Sequence, residues 1–244
     1  MLTTALVAGI VLVASFIQGT AGFGFAFFSV PLLALLLDFR VAVPTLVLLA
    51  QVLNLIILSQ HHFRADWKKS VLPLTLFSLP GIPVGVWLLT WLDVRLLQGS
   101  LGVILVFYAL YQWLAKPAPR VLSRAWMVCA GFLAGCLGGA LNSQGPPVLV
   151  YTSLQPWSKD LVKGTLTAFF FTTGLAVVAT QAYQGLITPE VTHLAAVCLP
   201  FLLVGVLVGR ALYKRLGEGG YRQLFMTLIF ALGVMMIVKS IAAA

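Results

Sequence analysis

Apolar stretches about 20 residues long, the length that crosses a bilayer, recur along this chain between short charged loops. Hydrophobic residues make up 61% of the 244 residues and charged residues 9%, whereas a soluble domain carries about 25% charged residues. Polar side chains are too few to cover a water-soluble surface, which excludes a soluble enzyme, a disordered chain and a small disulfide-stabilised domain. Only helices and closed barrels satisfy the backbone in lipid, and these apolar runs do not alternate as barrel strands do. The sequence predicts an all-α polytopic membrane protein.

The chain divides into two similar halves. A shift of 120 residues aligns Gly19 with Gly139, Pro80 with Pro200, and the interruption of one apolar stretch with the interruption of another. Chance identities are expected between apolar sequences, but one ungapped register with both interruptions in phase indicates an internal duplication. The predicted units are a first transmembrane repeat at 1–114, a basic proline-containing linker at 115–124 and a second transmembrane repeat at 125–244.

The positive charges predict how each repeat crosses the membrane. Each repeat opens with an interrupted apolar stretch, 2–37 or 126–154, and continues with three further apolar stretches. If each interrupted stretch crossed once, eight Lys and Arg residues would lie on one side and seven on the other. If each enters and returns, as a hairpin or a re-entrant pair, the division becomes twelve against three, which obeys the positive-inside rule. The twelve-cation face is then cytoplasmic and both termini are periplasmic.

With an odd number of crossings in each half, the second half is inverted relative to the first. The predicted fold is an inverted repeat, in which each half opens with an interrupted helix pair followed by three transmembrane helices. Inverted repeats with discontinuous helices are typical of secondary transporters, and the corresponding breaks indicate the substrate site.

The two interruptions are therefore the candidate site. Glycines in residues 19–24 permit the dihedrals that break a helix, and Pro146 with Pro147 removes two backbone donors while favouring a helix start. A helix that restarts after a break presents unpaired N–H groups and the positive end of its dipole to a small anion. Asn142, Ser143 and Gln144 add polar side chains to the second break. The alternative is that the glycines only allow close helix packing.

A second polar set consists of Gln51 and Asn54, on one face of an otherwise apolar stretch. Such amides either line a path or join helices, and the sequence leaves both open. Their repeat counterparts are Phe171 and Gly174, so the polar function is not copied side chain for side chain. The predicted substrate-binding residues are Gln18, Gly19, Thr20, Gly22, Gly24, Gln51, Asn54, Gly139, Asn142, Ser143, Gln144, Gly145 and Pro146.

Groups for catalysis or metal binding are sparse. The three cysteines have no Cys-x-x-Cys spacing, the three histidines form no metal set, and six acidic residues leave little for acid–base catalysis. We therefore expect no enzyme activity, no metal and no cofactor. The apolar spans contain no Asp or Glu, which argues against a carboxylate relay and leaves facilitated diffusion or coupling through the substrate's own proton open. The basic loops are expected to face lipid phosphates and not nucleic acid, and a homo-oligomer is left open.

These residues resemble the sulfite exporter TauE/SafE family of membrane permeases. Residues 19–24 followed by 30–32 are similar to the family's glycine-rich first signature, although the family often has a further glycine where Phe25 or Ala26 stands. The second, weaker signature is resembled by Gly135, Gly138, Gly145 and Pro146. The resemblance covers nearly the whole chain and implies an inner-membrane permease for sulfur-containing or related organic anions, such as sulfite and sulfonates. Neither the direction of transport nor the individual substrate is carried over.

The leading prediction is a secondary transporter of small anions that binds its substrate between the two breaks and alternates access. One alternative is an anion channel built on the same breaks, which predicts an open pore. The other is a membrane scaffold or assembly protein without a substrate path, which predicts a dry core.

Overall fold

The computed structural model describes residues 2–59, 65–114, 123–155, 157–213 and 218–242. Within these ranges nearly every residue is helical and there is no strand. Seven of the described helices are long and apolar enough to cross a bilayer. The prediction of an all-α polytopic membrane protein is confirmed.

Both halves begin with a long, a short and a long helix, but the next apolar segment is divided in the first half and continuous in the second. The first half contains α1 (Leu2–Ala21), α2 (Phe25–Leu33), α3 (Phe39–Leu58), a π-helical turn (Trp67–Val71), α4 (Leu72–Ser78), α5 (Gly81–Trp91) and α6 (Val94–Leu114). The second half contains α7 (Arg124–Leu141), α8 (Gly145–Ser153), α9 (Lys159–Tyr183), α10 (Pro189–Tyr213) and α11 (Glu218–Ala242). The short helices α2 and α8 have nine residues each, so they extend about 13.5 Å, roughly half the hydrocarbon thickness.

The apolar stretch at 71–91 departs from the single span that its sequence predicts. It is divided into α4 and α5, and the segments Trp67–Ser78 and Gly81–Trp91 are bent by 42°. Pro80 and Pro83 both lie at this bend, and neither has an N–H to donate to the preceding turn. The equivalent Pro200 lies inside α10, which continues without a break.

Glycines bring the long helices into backbone contact. A Cβ on Gly205 would meet the carbonyl oxygen of Leu12, and one on Gly209 would meet that of Phe16. Helices α1 and α10 therefore touch through their backbones and run in the same direction. Small residues serve this purpose in membrane helices, where lipid tails are as apolar as the side chains. The α5–α7 pair packs in the same parallel way through Gly81, Gly85, Gly135 and Gly139.

The outer surface is apolar, with exposed Leu, Val and Phe side chains along the long helices and exposed Trp side chains near helix ends, as in Trp91 and Trp126. This distribution suits a chain surrounded by lipid, with indole rings at the interface. Residues 115–122 of the predicted linker lie outside the described residues, as do 61–64 and 214–217 of the basic loops. The boundaries of the two repeats stay predictions.

Candidate functional site

A cavity of about 40 Å³ lies where the two helix breaks meet. Seven of the thirteen predicted site residues line it, and they come from both halves of the chain. These are Gln18, Gly24, Asn54, Asn142, Ser143, Gln144 and Gly145. The two interruptions, 120 residues apart in sequence, are therefore brought together in space.

In the first break, two glycines with positive φ turn the chain between α1 and α2. Gly22 has φ +80° and Gly24 has φ +110°, conformations that L side chains rarely adopt. The Gln18 side chain then bridges the turn. Its Oε1 accepts a hydrogen bond from the Phe25 N–H at the start of α2 (3.2 Å), and its Nε2 donates to Asn54 Oδ1 (2.9 Å). The first break is thus fixed by amides that bond to one another and to the backbone.

In the second break, Asn142 takes the conformation that glycine has in the first. Its φ is +52°, and Asn is one of the few residues that tolerate the left-handed region. The Asn142 N–H donates to the Gly138 carbonyl and the Ser143 N–H to the Leu137 carbonyl, which closes α7 with a glycine-type cap. The Asn142 side chain is buried, and Nδ2 has no hydrogen-bond partner in the described part of the chain.

The Gln144 side chain connects the second break to α9. Its Oε1 accepts a hydrogen bond from the Thr173 hydroxyl (2.9 Å), and its Nε2 lies 3.4 Å from the Phe170 carbonyl oxygen. Gln144 and Ser143 are both buried, and the Ser143 hydroxyl donates to the Leu141 carbonyl (3.0 Å). Asn142 is therefore the residue of this break whose side-chain amide nitrogen has no hydrogen-bond partner in the described residues.

The other predicted residues lie away from the cavity lining. Gly19 and Gly139 pack against the backbones of α10 and α5, and the Thr20 hydroxyl donates to the Ile17 carbonyl (2.8 Å). These contacts match the packing alternative that the sequence left open.

Three further predicted residues contact parts of the protein outside the cavity lining. Gly22 is covered by the side chain of Lys163, and the Gln51 amide lies beside Gly174 on α9. Pro146 lines a separate apolar cavity of about 420 Å³ between α6, α7 and α8.

Sequence reasoning missed the aromatic part of the lining and one hydroxyl. Phe23, Phe27 and Phe170 line the cavity, and the Thr173 hydroxyl donates a hydrogen bond to the Gln144 side chain. Phe23 lies between the two glycines, which was a usable signal. Phe170 and Thr173 had none, because Phe and Thr are ordinary residues of an apolar helix.

Neither acids nor bases line the cavity, and the described residues hold no group of three His, Cys, Asp or Glu that could bind a metal. The polar groups that face the cavity are amides, a hydroxyl and backbone. Such a site can bind through hydrogen bonds and helix dipoles.

Comparison with known proteins then identifies the family. The family model for the sulfite exporter TauE/SafE matches residues 7–236. The chain belongs to the sulfite exporter TauE/SafE family. Members of this family are transporters and not enzymes. Within the family, the chain is similar to the probable sulfite/organosulfonate exporter TauE of Cupriavidus necator, at 26% identity over 183 residues, which cover 73% of this chain and 71% of that protein. No solved structure matches the chain.

Proposed function

We propose that this TauE/SafE family member is a secondary transporter of small sulfur-containing or related organic anions, which bind in the cavity between the two breaks. The observation that carries the proposal is Asn142 Nδ2, a buried amide donor without an acceptor in the described residues, on the wall of a cavity built by both breaks. Leaving such a group unpaired costs about 1–3 kcal/mol, so a bound acceptor would relieve that cost.

The start of α2 supplies the opposite wall. Ala26 and Phe27 line the cavity in the first turn of α2, where backbone N–H groups have no partner within the helix. The positive end of the helix dipole favours an anion there. The start of α8 offers fewer donors, because Pro146 and Pro147 have no N–H. The anion is therefore held between the α2 terminus and the Asn142 amide.

The size of the cavity favours a compact headgroup. A volume of about 40 Å³ corresponds to roughly three water molecules. A sulfite ion or the sulfonate end of an organic anion suits this space, and a longer organic tail requires the breaks to separate.

Helix directions support the inverted repeat. Gln51 on α3 lies beside Gly174 on α9, and the Asp66 N–H that follows α3 donates to Thr165 nearer the start of α9 (3.2 Å). Helices α3 and α9 therefore run in opposite directions. If each break were only a pause within a single crossing, the two helices would run in the same direction.

Helices α6 and α11 give the same result. The Ser240 hydroxyl donates to the Arg95 carbonyl (2.9 Å), while Gly233, seven residues earlier, lies against Val106. This pair is antiparallel too, as expected when each interrupted stretch enters and returns. The topology we propose has two inverted repeats at 1–114 and 125–244, with both termini in the periplasm and the inner membrane as location.

Transport would follow from rocking one repeat against the other about the shared cavity. No carboxylate lines the cavity within the described residues, so the proposal includes no carboxylate relay. The anion moves by facilitated diffusion or with its own proton.

The test is uptake of sulfite and of a set of sulfonates and carboxylates into proteoliposomes that contain the purified protein. Saturable flux of sulfur oxoanions is expected, and single-channel currents would favour the channel instead. Asn142→Ala should weaken the apparent affinity about 10- to 100-fold, because one hydrogen bond to a charged group is worth about 1.5–3 kcal/mol.

The matched control is Gln181→Ala. Gln181 is a buried amide whose two polar atoms also lack partners in the described residues, but it does not line the cavity. We expect wild-type affinity in this variant. Equal affinity in Asn142→Ala and the wild type would remove the cavity from the substrate path.

A further inference from the structure

The cavity between the breaks has hydrogen-bond donors, but no charged side chain lines it in the described part of the chain. An anion with two charges that leaves water needs a nearby cation as well as hydrogen bonds, because an uncompensated charge is costly to bury. A cation close to either break is therefore of interest. Lys163, in the second turn of α9, is such a residue.

The side chain of Lys163 lies across the first break. A Cβ built on Gly22 would lie 2.7 Å from both Cγ and Cε of Lys163 and 2.8 Å from Cδ. The methylene groups therefore fill the space above a glycine that has no side chain of its own. The ammonium nitrogen, one bond beyond Cε, is held at the same break, and Gly22 leads directly into Phe23 and Gly24 on the cavity wall.

Most other cations with described side chains are differently placed. Arg210 also meets the first glycine-rich run, but through its backbone N, which lies 3.3 Å from a Cβ built on Gly19, and its side chain is exposed. Arg40 and Lys239 each donate to a backbone carbonyl on another helix, Arg40 to Thr90 (2.7 Å) and Lys239 to Ala34 (3.3 Å). Lys68, Lys69, Arg95 and Arg124 have exposed side chains. Lys163 is half-buried beside a turn that forms the cavity.

The acidic surroundings of Lys163 are limited. Asp160, one turn earlier on α9, is exposed and interacts electrostatically with Lys163. The carboxylate of Asp66, near the same end of α9, accepts hydrogen bonds from the Lys69 N–H (3.2 Å) and the Ser70 hydroxyl (3.0 Å) of its own π-helical turn. Because Asp160 is exposed to water and its field is screened, it offsets the positive charge of Lys163 only in part.

We propose that Lys163 supplies the counter-charge for a doubly charged oxoanion as the anion passes Phe23 at the edge of the cavity. The inference rests on the proposed function and deepens it, because it assigns the charge class that the path selects. The expected consequence is selectivity: removing the ammonium group penalises an anion with two charges more than an anion with one charge.

The experiment compares Lys163→Gln, Lys163→Arg and the wild type in proteoliposomes, with two probes at alkaline pH: sulfite, which then carries two charges, and methanesulfonate, which carries one. For Lys163→Gln we expect the apparent KM for sulfite to rise about 10- to 100-fold, the loss of one charge-assisted contact. Coulomb energy is proportional to charge, so the KM for methanesulfonate should rise only about 3- to 10-fold. Lys163→Arg should recover most of the sulfite affinity.

The control is Lys69→Gln, which removes the same charge from an exposed lysine and should leave both KM values unchanged. An equal loss for both anions in Lys163→Gln, or no loss for either, would overturn the proposal while the proposed transport stands. A wild-type protein that carries neither anion would overturn both proposals together. Wild-type flux of both anions with a charge-dependent loss in Lys163→Gln supports both.

Discussion

The two helix breaks occupy equivalent places in the two halves, but their side chains are exchanged. In the first break, Gln18 lies on the long helix and Gly24 precedes the short one, whereas in the second, Gly138 lies on the long helix and Gln144 precedes the short one. Gln144 Oε1 is 2.8 Å from where a Cβ on Gly138 would stand, so it fills the space that a side chain there would take. Each break therefore has one glutamine beside its turn. In the first break it comes from the helix before the turn, and in the second from the segment after it.

A second exchange occurs where α3 meets α9. Asn54 on α3 corresponds to Gly174 on α9, and the Gln51 amide lies in the space that a side chain at Gly174 would occupy. What the two halves share is the backbone: a left-handed residue ends the long helix at both Gly22 and Asn142. The break depends on that dihedral, while the amide beside it can come from either neighbouring segment.

The two breaks also differ in how far their polar groups are satisfied. In the first, Gln18, Asn54 and the start of α2 bond to each other, whereas in the second the Asn142 amide donor stays without a partner in the described residues. We infer that the side chains of the first break are mainly structural, whereas the second break offers a side-chain donor to a ligand. Variants of each break, compared by their free energy of unfolding in detergent micelles, test this difference.

The largest effect is expected for Gly22→Val. A β-branched residue at φ +80° is strained by about 1–3 kcal/mol, and its Cβ collides with the Lys163 side chain, which adds about 1–3 kcal/mol of overpacking. We expect a loss of about 2–6 kcal/mol. The control is Gly9→Val on the same helix, where a new side chain meets nothing within 4 Å. If both variants unfold at the wild-type denaturant concentration, the first break does not depend on its left-handed glycine.

A smaller difference is expected between Gln18→Ala and Gln144→Ala. Removing Gln18 leaves the Phe25 N–H and the Asn54 carbonyl oxygen unpaired in a buried place, at a cost of about 1–3 kcal/mol. Removing Gln144 leaves Thr173 with its second acceptor, the Phe169 carbonyl at 2.6 Å, so we expect about 1 kcal/mol or less.

Denaturant titration of both variants measures the two costs. The reverse order of stability would contradict a structural first break. Equal losses in the free energy of unfolding would mean that the two glutamines contribute equally to stability.

The position of each break was predictable because glycine and proline disrupt helices in any context. The sequence placed the breaks within residues 19–24 and 142–147, and the helices end at Ala21 and Leu141. The bend at Pro80 was missed. Proline often breaks a helix, but Pro200, at the same position of the second repeat, leaves α10 continuous. The local sequences differ, because Gly81 and Pro83 follow Pro80 where Phe201 and Leu203 follow Pro200, so a single proline did not predict the bend.

The role of each glycine was not predictable. Gly19 packs against α10 and Gly24 lines the cavity, yet both belong to the same glycine-rich run. A glycine looks the same in the sequence whether the space beside it is occupied by another backbone, a ligand or a distant side chain such as Lys163. Gln144 filling the space at Gly138 is likewise a tertiary contact that no spacing rule expresses.

Thr173→Val should have a modest effect. The change keeps the shape of the side chain and removes the hydroxyl that donates to Gln144 Oε1, so we expect a loss of about 0.5–1.5 kcal/mol. Thr180→Val is the control on the same helix, because within the described residues the Thr180 hydroxyl donates only to the Ala176 carbonyl in its own helix. A loss in Thr173→Val no larger than that of the control would mean that Gln144 is not fixed from α9.

The smallest effect on stability is expected for Asn142→Gly, which gives the second break the residue of the first. Glycine adopts φ +52° without strain, and removing the buried Nδ2, which has no partner in the described residues, relieves a cost of about 1–3 kcal/mol. These gains offset the added entropy of the unfolded chain and the lost packing of the Asn side chain, so we expect the free energy of unfolding to stay within about 0.5 kcal/mol of the wild type. Asn142→Ala, by contrast, forces Ala into the left-handed region at a cost of about 1–2 kcal/mol. Asn142→Gly therefore separates binding from folding: unfolding should match the wild type while sulfite affinity in proteoliposomes falls about 10-fold or more, the value of one hydrogen bond to a charged group. If affinity is also unchanged, the second break is no more receptive than the first, and the open amide is a feature of the fold alone.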